Sequence, residues 1–174
     1  MAKKRKVLPG VPYGVVVLAE HTSEWSALYG EEAARIAAAL GPVVLSMEHY
    51  GSTSIPGIKA KPIIDILVGV ERLDDTVGCI PAMEELGYIF DPNAGIPGHH
   101  IFGKGAARTH IVHFVEHGGE GWRQGLAFRD RLLADPKVAE AYQRLKVELA
   151  ARYPNDRAAY TAGKSAFVEN LRGD

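Results

Sequence analysis

Cysteine is almost absent from this sequence, because Cys79 is the only one among its 174 residues. A single cysteine cannot form an internal disulfide, and this composition is typical of proteins that work in a reducing compartment. We therefore expect a cytoplasmic protein in which Cys79 is a buried, structural thiol.

Long hydrophobic runs are absent as well. No apolar stretch approaches the ~20 residues that a membrane-spanning helix needs, and no hydrophobic segment of the signal-peptide kind follows the N-terminus. The content of 47% hydrophobic and 24% charged residues is that of an ordinary soluble globular domain. We expect no membrane partner.

Net charge is also small, with a formal value of −1, but it is unevenly distributed. Four basic residues lie within the first six positions, and removing them leaves 16 basic against 21 acidic residues. A mildly acidic body is poorly suited to a nucleic-acid backbone, so nucleic acid is an unlikely partner. We expect residues 1–12 to form a flexible basic arm, and residues 13–174 to form a single domain.

Hydrophobic patterning predicts alternating strands and helices, followed by a helical last third. The predicted strands cover residues 15–18, 43–49, 63–70, 88–90, 99–102 and 108–115, the last two forming a hairpin. Predicted helices cover residues 22–40 and 74–87, and three more follow residue 120. In the last third, Asp135 and Asp156 are expected to cap helices. The expected fold is α+β, a mixed sheet covered by helices with a helical C-terminal part.

The segment between residues 49 and 70, HYGSTSIPGIKAKPIIDILVGV, carries the clearest chemical signal. Asp65 is the only charge in an otherwise apolar predicted strand, and a carboxylate in such a place usually has a ligand or a hydrogen-bonding role. Before it, Gly51 permits close backbone approach, and Ser52 and Thr53 can donate hydrogen bonds to phosphate oxygens. Together these residues predict a site for a phosphate and a divalent cation.

This segment resembles the GrpB family, a branch of the nucleotidyltransferase superfamily whose wider motif is a Gly-Ser turn followed by acid-x-acid on the next strand. The resemblance continues through Arg108-Thr109-His110, His113, Phe128-Arg129-Asp130, Tyr160, Gly163-Lys164 and Phe167. It implies a nucleotidyltransferase-like fold that binds a nucleotide or another phosphorylated small molecule. The reaction it implies is transfer of a nucleotidyl group to a small acceptor.

The acid-x-acid motif is incomplete in this chain. Two acids at i and i+2 on a strand point the same way and can share divalent cations, but the partner position of Asp65 is Leu67. We expect Asp65 to be the metal ligand of the motif, with Glu116 the nearest candidate for a further acid. Mg²⁺ is therefore expected only together with a nucleoside triphosphate.

Histidines are concentrated between residues 99 and 117, where five of the seven lie. On a regular strand, His110 and His113 would point to opposite faces. Similar proteins tend to carry His-x-His at positions 111 and 113, so only His113 matches that pair. No spacing suits zinc, and none is expected. His113 and His49 are candidates for proton transfer, and plain packing is the alternative for both.

Four basic residues complete the predicted site. Lys61, Arg108, Arg129 and Lys164 are expected, with His110, to contact the phosphorylated ligand. Two alternatives remain open: Lys61 at an exposed strand edge, and Arg129 in an ordinary ion pair with Asp130.

Three functions are compatible with this pattern. The first is nucleotidyl transfer, and the second is a degenerate nucleotide-binding sensor or scaffold without turnover, which Leu67 favours. The third is an enzyme that uses the pocket for metal-independent acid–base or condensation chemistry, with Asp65 and the histidines as proton carriers. The base, the acceptor and the oligomeric state are not predicted.

Overall fold

A computed structural model describes residues 9–172 of the chain, which form seven strands and five α-helices. In chain order, the strands are β1 (Val11–Pro12), β2 (Ser46–Tyr50), β3 (Ile64–Val70), β4 (Tyr88–Asp91), β5 (His100–Lys104), β6 (Ala107–Arg108) and β7 (His110–Glu116). The helices are α1 (Glu24–Leu40), α2 (Ile80–Glu85), α3 (Glu120–Ala134), α4 (Pro136–Arg152) and α5 (Arg157–Arg172).

Five of the strands form the central sheet, in the spatial order β2-β3-β7-β5-β4. Strands β3 and β7 are parallel and the other neighbours are antiparallel, so the sheet is mixed. The hairpin predicted between residues 99 and 115 is confirmed: β5 pairs with β7 from His100 opposite Phe114 to Lys104 opposite His110. The predicted α+β fold, a mixed sheet covered by helices, is likewise confirmed.

The two faces of the sheet have different neighbours, because successive side chains on a strand point to opposite sides. One face packs against α1 and α2 and forms the main hydrophobic core, which includes Trp25, Ile66 and Phe114. The other face carries Asp65 and Leu67 and is covered by the C-terminal helices, beginning with Trp122 of α3. The alternation of side chains along β3 therefore directs Asp65 away from the main core and towards the helical layer.

Two helices of the C-terminal layer begin at the predicted capping residues. The Asp135 carboxylate accepts hydrogen bonds from the backbone N–H groups of Lys137 and Val138, at 3.0 and 3.4 Å, and opens α4. Asp156 accepts one from Ala159 at 3.0 Å and opens α5. The caps fix where α4 and α5 begin, and the two helices pack against each other and against α3.

Two predicted strands differ from the structure. Residues 15–18 do not form a strand; Val16 packs against Leu149 and Tyr160 of the helical layer, which explains why this stretch is apolar. The strand predicted from residue 43 begins three residues later, at Ser46, because residues 41–43 form a 3₁₀ turn. Cys79 is buried, as expected.

The N-terminal arm is only partly described, since residues 1–8, with their basic cluster, lie outside the described residues. Val11 and Pro12, which we placed in the arm, pair with Arg108 and Ala107, and Val11 is buried. The boundary predicted at residue 12 therefore falls inside a paired segment. No helix within residues 9–172 has the length and apolar character needed to cross a membrane.

Candidate ligand site

The turn after β2 lies directly against the lone carboxylate of β3. Tyr50 is opposite Asp65 in the sheet, and Gly51 then turns the chain with a φ of 73°. A Cβ atom on Gly51 would lie 2.5 Å from Oδ2 of Asp65, so only glycine lets the turn pass this close. The Ser54 hydroxyl donates to the Gly51 carbonyl at 2.6 Å and closes the turn.

Asp65 and His113 face each other on neighbouring strands. Nε2 of His113 lies 3.7 Å from Oδ1 of Asp65, and both side chains are mostly shielded from solvent. The edges of the Tyr50 and His99 rings hold the His113 ring, with centroids 5.2 and 5.6 Å away. At 3.7 Å the two groups are too far apart for a direct hydrogen bond, so a ligand atom or a water molecule can bridge them.

A cavity of about 940 Å³ opens above this pair, between the sheet and α5. Five cationic side chains line it: Lys61, Arg108, Arg157, Lys164 and Arg172. Three carboxylates also line it, Asp65, Asp91 and Asp156, and the last is already engaged as the cap of α5. The lining therefore has an excess of positive charge.

Lys61 and Lys164 converge on one aromatic ring. Their Nζ atoms lie 5.0 and 4.6 Å from the ring centroid of Tyr160. Burial, together with the nearby cations of Lys164 and Arg157, lowers the pKa of Lys61 to about 7. Burial also lowers the pKa of Lys164 to about 8, although Asp65 opposes this shift.

One part of the cavity wall is aromatic and apolar. Tyr142 and Phe128 from the helices face Ile101 and Ile111 from the sheet. Burial raises the pKa of Tyr142 to about 12, so its hydroxyl is protonated at neutral pH and can donate a hydrogen bond. This wall can accommodate the uncharged part of a small ligand.

Eight of the residues predicted for the site line this cavity: Gly51, Ser52, Thr53, Lys61, Asp65, Arg108, His113 and Lys164. Their roles remain predictions. The hydroxyl of Thr53 is 2.9 Å from Nε2 of His49, so Thr53 offers the ligand chiefly its backbone. Lys61 is not exposed at a strand edge but partly buried in the cavity wall.

The structure places His49 and His110 away from the cavity, which corrects their expected roles. His49 stacks on Tyr29 of α1, with ring centroids 4.9 Å apart, and burial lowers its pKa to about 4. His110 is 8% exposed on the same side of the sheet, and burial lowers its pKa too. His110 and His113 are indeed on opposite faces, and the cavity lies on the face of His113.

Arg129 also lies outside the cavity lining, contrary to its expected role. Its guanidinium donates hydrogen bonds to the Glu48 carboxylate at 2.7 Å and to the His49 carbonyl at 3.2 Å. A third hydrogen bond, at 2.8 Å, goes to Asp130. Arg129 therefore fastens α3 to the edge strand β2, and it does more than form the surface pair we considered.

Several lining residues were missed by sequence reasoning. Arg157, Thr161, Val168 and Arg172 line the cavity from α5, beside the predicted Lys164. Their spacing of three or four residues places them on one face of the helix. That spacing around Lys164 is the signal that identifies Arg157 and Arg172; no comparable signal marks Tyr13 or Asp91.

The family model described as "GrpB protein" matches residues 15–173 of this sequence. The chain belongs to the GrpB family. It is 40% identical over 168 residues to the glutamate-rich protein GrpB of Alkalihalophilus pseudofirmus, a match that covers 93% of this chain and 97% of that protein. UPF0157 protein YqkA of Bacillus subtilis is 37% identical over 150 residues, which cover 86% of this chain but 44% of that protein.

The crystal structure of GrpB from Enterococcus faecalis has the same architecture. The two structures superpose with a TM-score of 0.84 at 34% sequence identity, covering 90% of this chain and 94% of the other. The α+β arrangement described above is thus that of a solved member of the GrpB family.

The carboxylates of this GrpB-family chain do not fit a resident two-metal centre. Leu67, at the second motif position, is fully buried against Val115 and Trp122. Glu116, our candidate for a further acid, was a wrong expectation: it lies opposite Val70, about 16 Å along the strand from Ile111, the neighbour of Asp65. No group of three or more His, Cys, Asp or Glu side chains between residues 9 and 172 is placed to hold a metal ion.

Proposed function

We propose that the cavity binds a nucleotide or another phosphorylated small molecule. The observation that carries this proposal is the convergence of five cationic side chains on a space beside the Gly51-Ser52 turn and Asp65. Arginine and lysine side chains form charge-assisted hydrogen bonds with phosphate oxygens. A cavity with such an excess of positive charge is matched by a ligand that carries several negative charges.

The size and the walls of the cavity agree with a small molecule. Its volume of about 940 Å³ lies within the roughly 300–1,000 Å³ usual for ligand pockets. The phosphates would lie near Lys61, Lys164 and Arg157, and the uncharged part would pack against Tyr142 and Phe128.

For a nucleotide ligand, we propose transfer of the nucleotidyl group to a small acceptor. The reaction needs a group that takes the proton of the acceptor hydroxyl, and Asp65 and His113 present an acid–base pair at the floor of the cavity. The surrounding cations would stabilise the charge that develops on the phosphate oxygens. No step requires a carboxylate in place of Leu67.

A second function, binding without turnover, is favoured by a specific observation. Leu67 is packed in an apolar cluster where the wider motif has an acid, so the chain lacks the carboxylate pair that usually drives this chemistry. Such a protein would sense or store its ligand.

Calorimetric titration and a turnover assay test these proposals together. We expect pyrophosphate and nucleoside triphosphates to bind saturably, and the unphosphorylated nucleoside to bind much more weakly. Arg157→Met should weaken binding about tenfold or more, since one lost charged hydrogen bond contributes about 1.5–3 kcal/mol. Arg144→Met, which removes an exposed arginine paired with Glu140, is the matched control. Failure of every phosphorylated compound to bind would contradict the proposal, and binding without release of labelled product would favour the sensor.

A further inference from the structure

Two lysines of the cavity have no anionic partner in the part of the chain that the structure describes. Lys59 pairs with Glu20 and Lys104 with Glu32, whereas Lys61 and Lys164 form no ion pair among residues 9–172. Instead, both amines lie over the ring of Tyr160. Two ammonium groups brought together in this way repel each other, and a neutral amine at one position relieves the repulsion.

We propose that Lys61 is an amine nucleophile that forms an imine with the carbonyl carbon of a phosphorylated aldehyde or ketone. The inference rests on the proposed anion binding, and it narrows the ligand to phosphorylated compounds that carry a reactive carbonyl.

The backbone beside Lys61 is held firmly from two sides. The N–H of Lys59 donates to Oε1 of Gln143 at 2.6 Å, and the Lys59 carbonyl accepts a hydrogen bond from the buried side-chain amine of Lys146. Ala60 makes a two-way backbone bridge with Ala19, at 2.8 and 3.1 Å. Because the chain is fixed at residues 59 and 60, the Lys61 side chain enters the cavity from a rigid base, as a positioned nucleophile requires.

The surroundings of Lys61 favour the unprotonated amine. Lys164, Arg157 and Arg108 disfavour a proton on Lys61, and Asp65 is the one nearby group that favours it. Burial acts in the same direction as the cations and is the largest cause of the lowered pKa, which is about 7. A lysine desolvated next to other cations is the established way in which proteins make an amine nucleophilic at neutral pH.

The condensation balances without an oxidant or a reductant. The lone pair of Nζ attacks the carbonyl carbon, a C–N bond forms, and the carbonyl oxygen takes a proton to give a carbinolamine. Asp65 can accept the first proton that the nitrogen loses and return it to the carbonyl oxygen. A proton from solvent then converts the hydroxyl into a water molecule, which leaves, and the nitrogen gives its second proton back to solvent as the C=N bond forms. Arg108 and Arg157 would hold the phosphate during these steps.

Pyridoxal 5′-phosphate is a suitable probe, because it joins an aldehyde to a phosphate. The full chain is treated with the probe near pH 7, the imine is reduced with borohydride, and the modified lysine is identified by peptide mass spectrometry. We expect modification of Lys61, protection by pyrophosphate, and labelling at least tenfold slower with pyridoxal, which lacks the phosphate. Lys61→Arg should lose the adduct but still bind pyrophosphate. Lys59→Arg, which changes a lysine two residues away, should still be labelled at Lys61 as in the wild type.

A second variant tests the role of the neighbouring charge. Removing the cation in Lys164→Met should raise the pKa of Lys61, so labelling at pH 7 should fall several-fold and recover at pH 9. Lys164→Arg retains the charge and should preserve the labelling.

The outcomes separate this inference from the proposed function. Pyrophosphate binding without labelling of Lys61, or labelling of Lys59 or Lys164 in its place, would overturn the inference and leave the proposed function standing. Labelling of Lys61 that proceeds equally fast with pyridoxal, with no pyrophosphate binding by calorimetry, would overturn the proposed function and retain only the reactive amine.

Discussion

Gly51 and the Asp65 carboxylate compete for the same space, because a Cβ atom at residue 51 would lie 2.5 Å from Oδ2 of Asp65. The turn can therefore lie against the Asp65 carboxylate only if residue 51 is a glycine. The glycine is needed for its positive φ and also for the absence of a side chain against the acid.

We therefore predict that Gly51→Ala destabilises the protein more than Gly57→Ala. Both glycines have positive φ, 73° and 82°, but nothing lies within 4 Å of a Cβ on Gly57. Gly57→Ala should lower the free energy of unfolding by the backbone cost alone, about 1–2 kcal/mol. Gly51→Ala should lower it by more, as measured by urea unfolding. In an Asp65→Ala background the difference between the two losses should shrink, because the carboxylate is gone and only the Cβ atom of residue 65, at 3.1 Å, remains close to a Cβ at residue 51. Equal losses in the wild-type background would show that the turn relaxes away from Asp65.

We predict that Arg129 contributes to the stability of the fold and not to ligand binding. Arg129→Met should lower the free energy of unfolding by about 1 kcal/mol, because it removes hydrogen bonds to Glu48 and to the His49 carbonyl. The figure is modest because the Glu48 side chain is 37% exposed and screened by solvent. Affinity for pyrophosphate should be unchanged, in contrast to Arg157→Met. A large loss of affinity without a loss of stability would return Arg129 to the ligand site.

Five of the eight predicted lining residues lie close together along the chain, between residues 51 and 65, whereas Arg108, His113 and Lys164 were predicted from the resemblance. Gly51, Lys61 and Asp65 lie within fifteen residues, and a turn between two apolar strands is sufficient to bring them together. Tyr142 could not be placed, because it reaches the cavity only when α4 folds back over the sheet. Arg157 could be placed only through its helical spacing from Lys164 on α5.

Which face of the sheet is covered by the main core, and so which histidine lies in the cavity, also depends on tertiary structure. Alternation correctly separates His110 from His113, but it cannot tell which face is covered by the main core. Residues 15–18 were misassigned for a similar reason, since an apolar run that packs on helices has the same local pattern as a buried strand.

Lys146 predicts an unusual dependence of stability on pH. It is 1% exposed, it donates to the Lys59 carbonyl, and burial lowers its pKa from the ordinary 10.5 to about 7. Between these two values the unfolded chain binds a proton that the folded protein does not, so this residue makes stability rise with pH from about 7 to about 10.5.

Replacement of this amine should reduce the slope, while Lys61 and Lys164, whose pKa values are also lowered by burial, continue to contribute to it. Lys146→Met should reduce the slope of unfolding free energy against pH by up to about 1.4 kcal/mol per unit, measured by urea unfolding between pH 7 and 10. Lys137→Met, at the exposed start of α4, is the control and should leave the slope unchanged. A wild-type slope that survives in Lys146→Met would mean that Lys146 is protonated in the folded state.

Magnesium provides the last prediction. A tight site needs several oxygen ligands, and the motif strand offers only the Asp65 carboxylate, since Leu67 is buried in an apolar cluster and Glu116 lies far along the sheet. Magnesium often retains its waters and binds through one or two carboxylates and the phosphates of a ligand. Titration of the free protein should therefore give no heat of binding at submillimolar concentrations, and a magnesium effect should appear only with a nucleoside triphosphate. Asp65→Asn should abolish that effect while retaining the fold. A submillimolar site in the free protein would contradict this prediction, because it would require carboxylates to gather around Asp65 in an arrangement that residues 9–172 do not have.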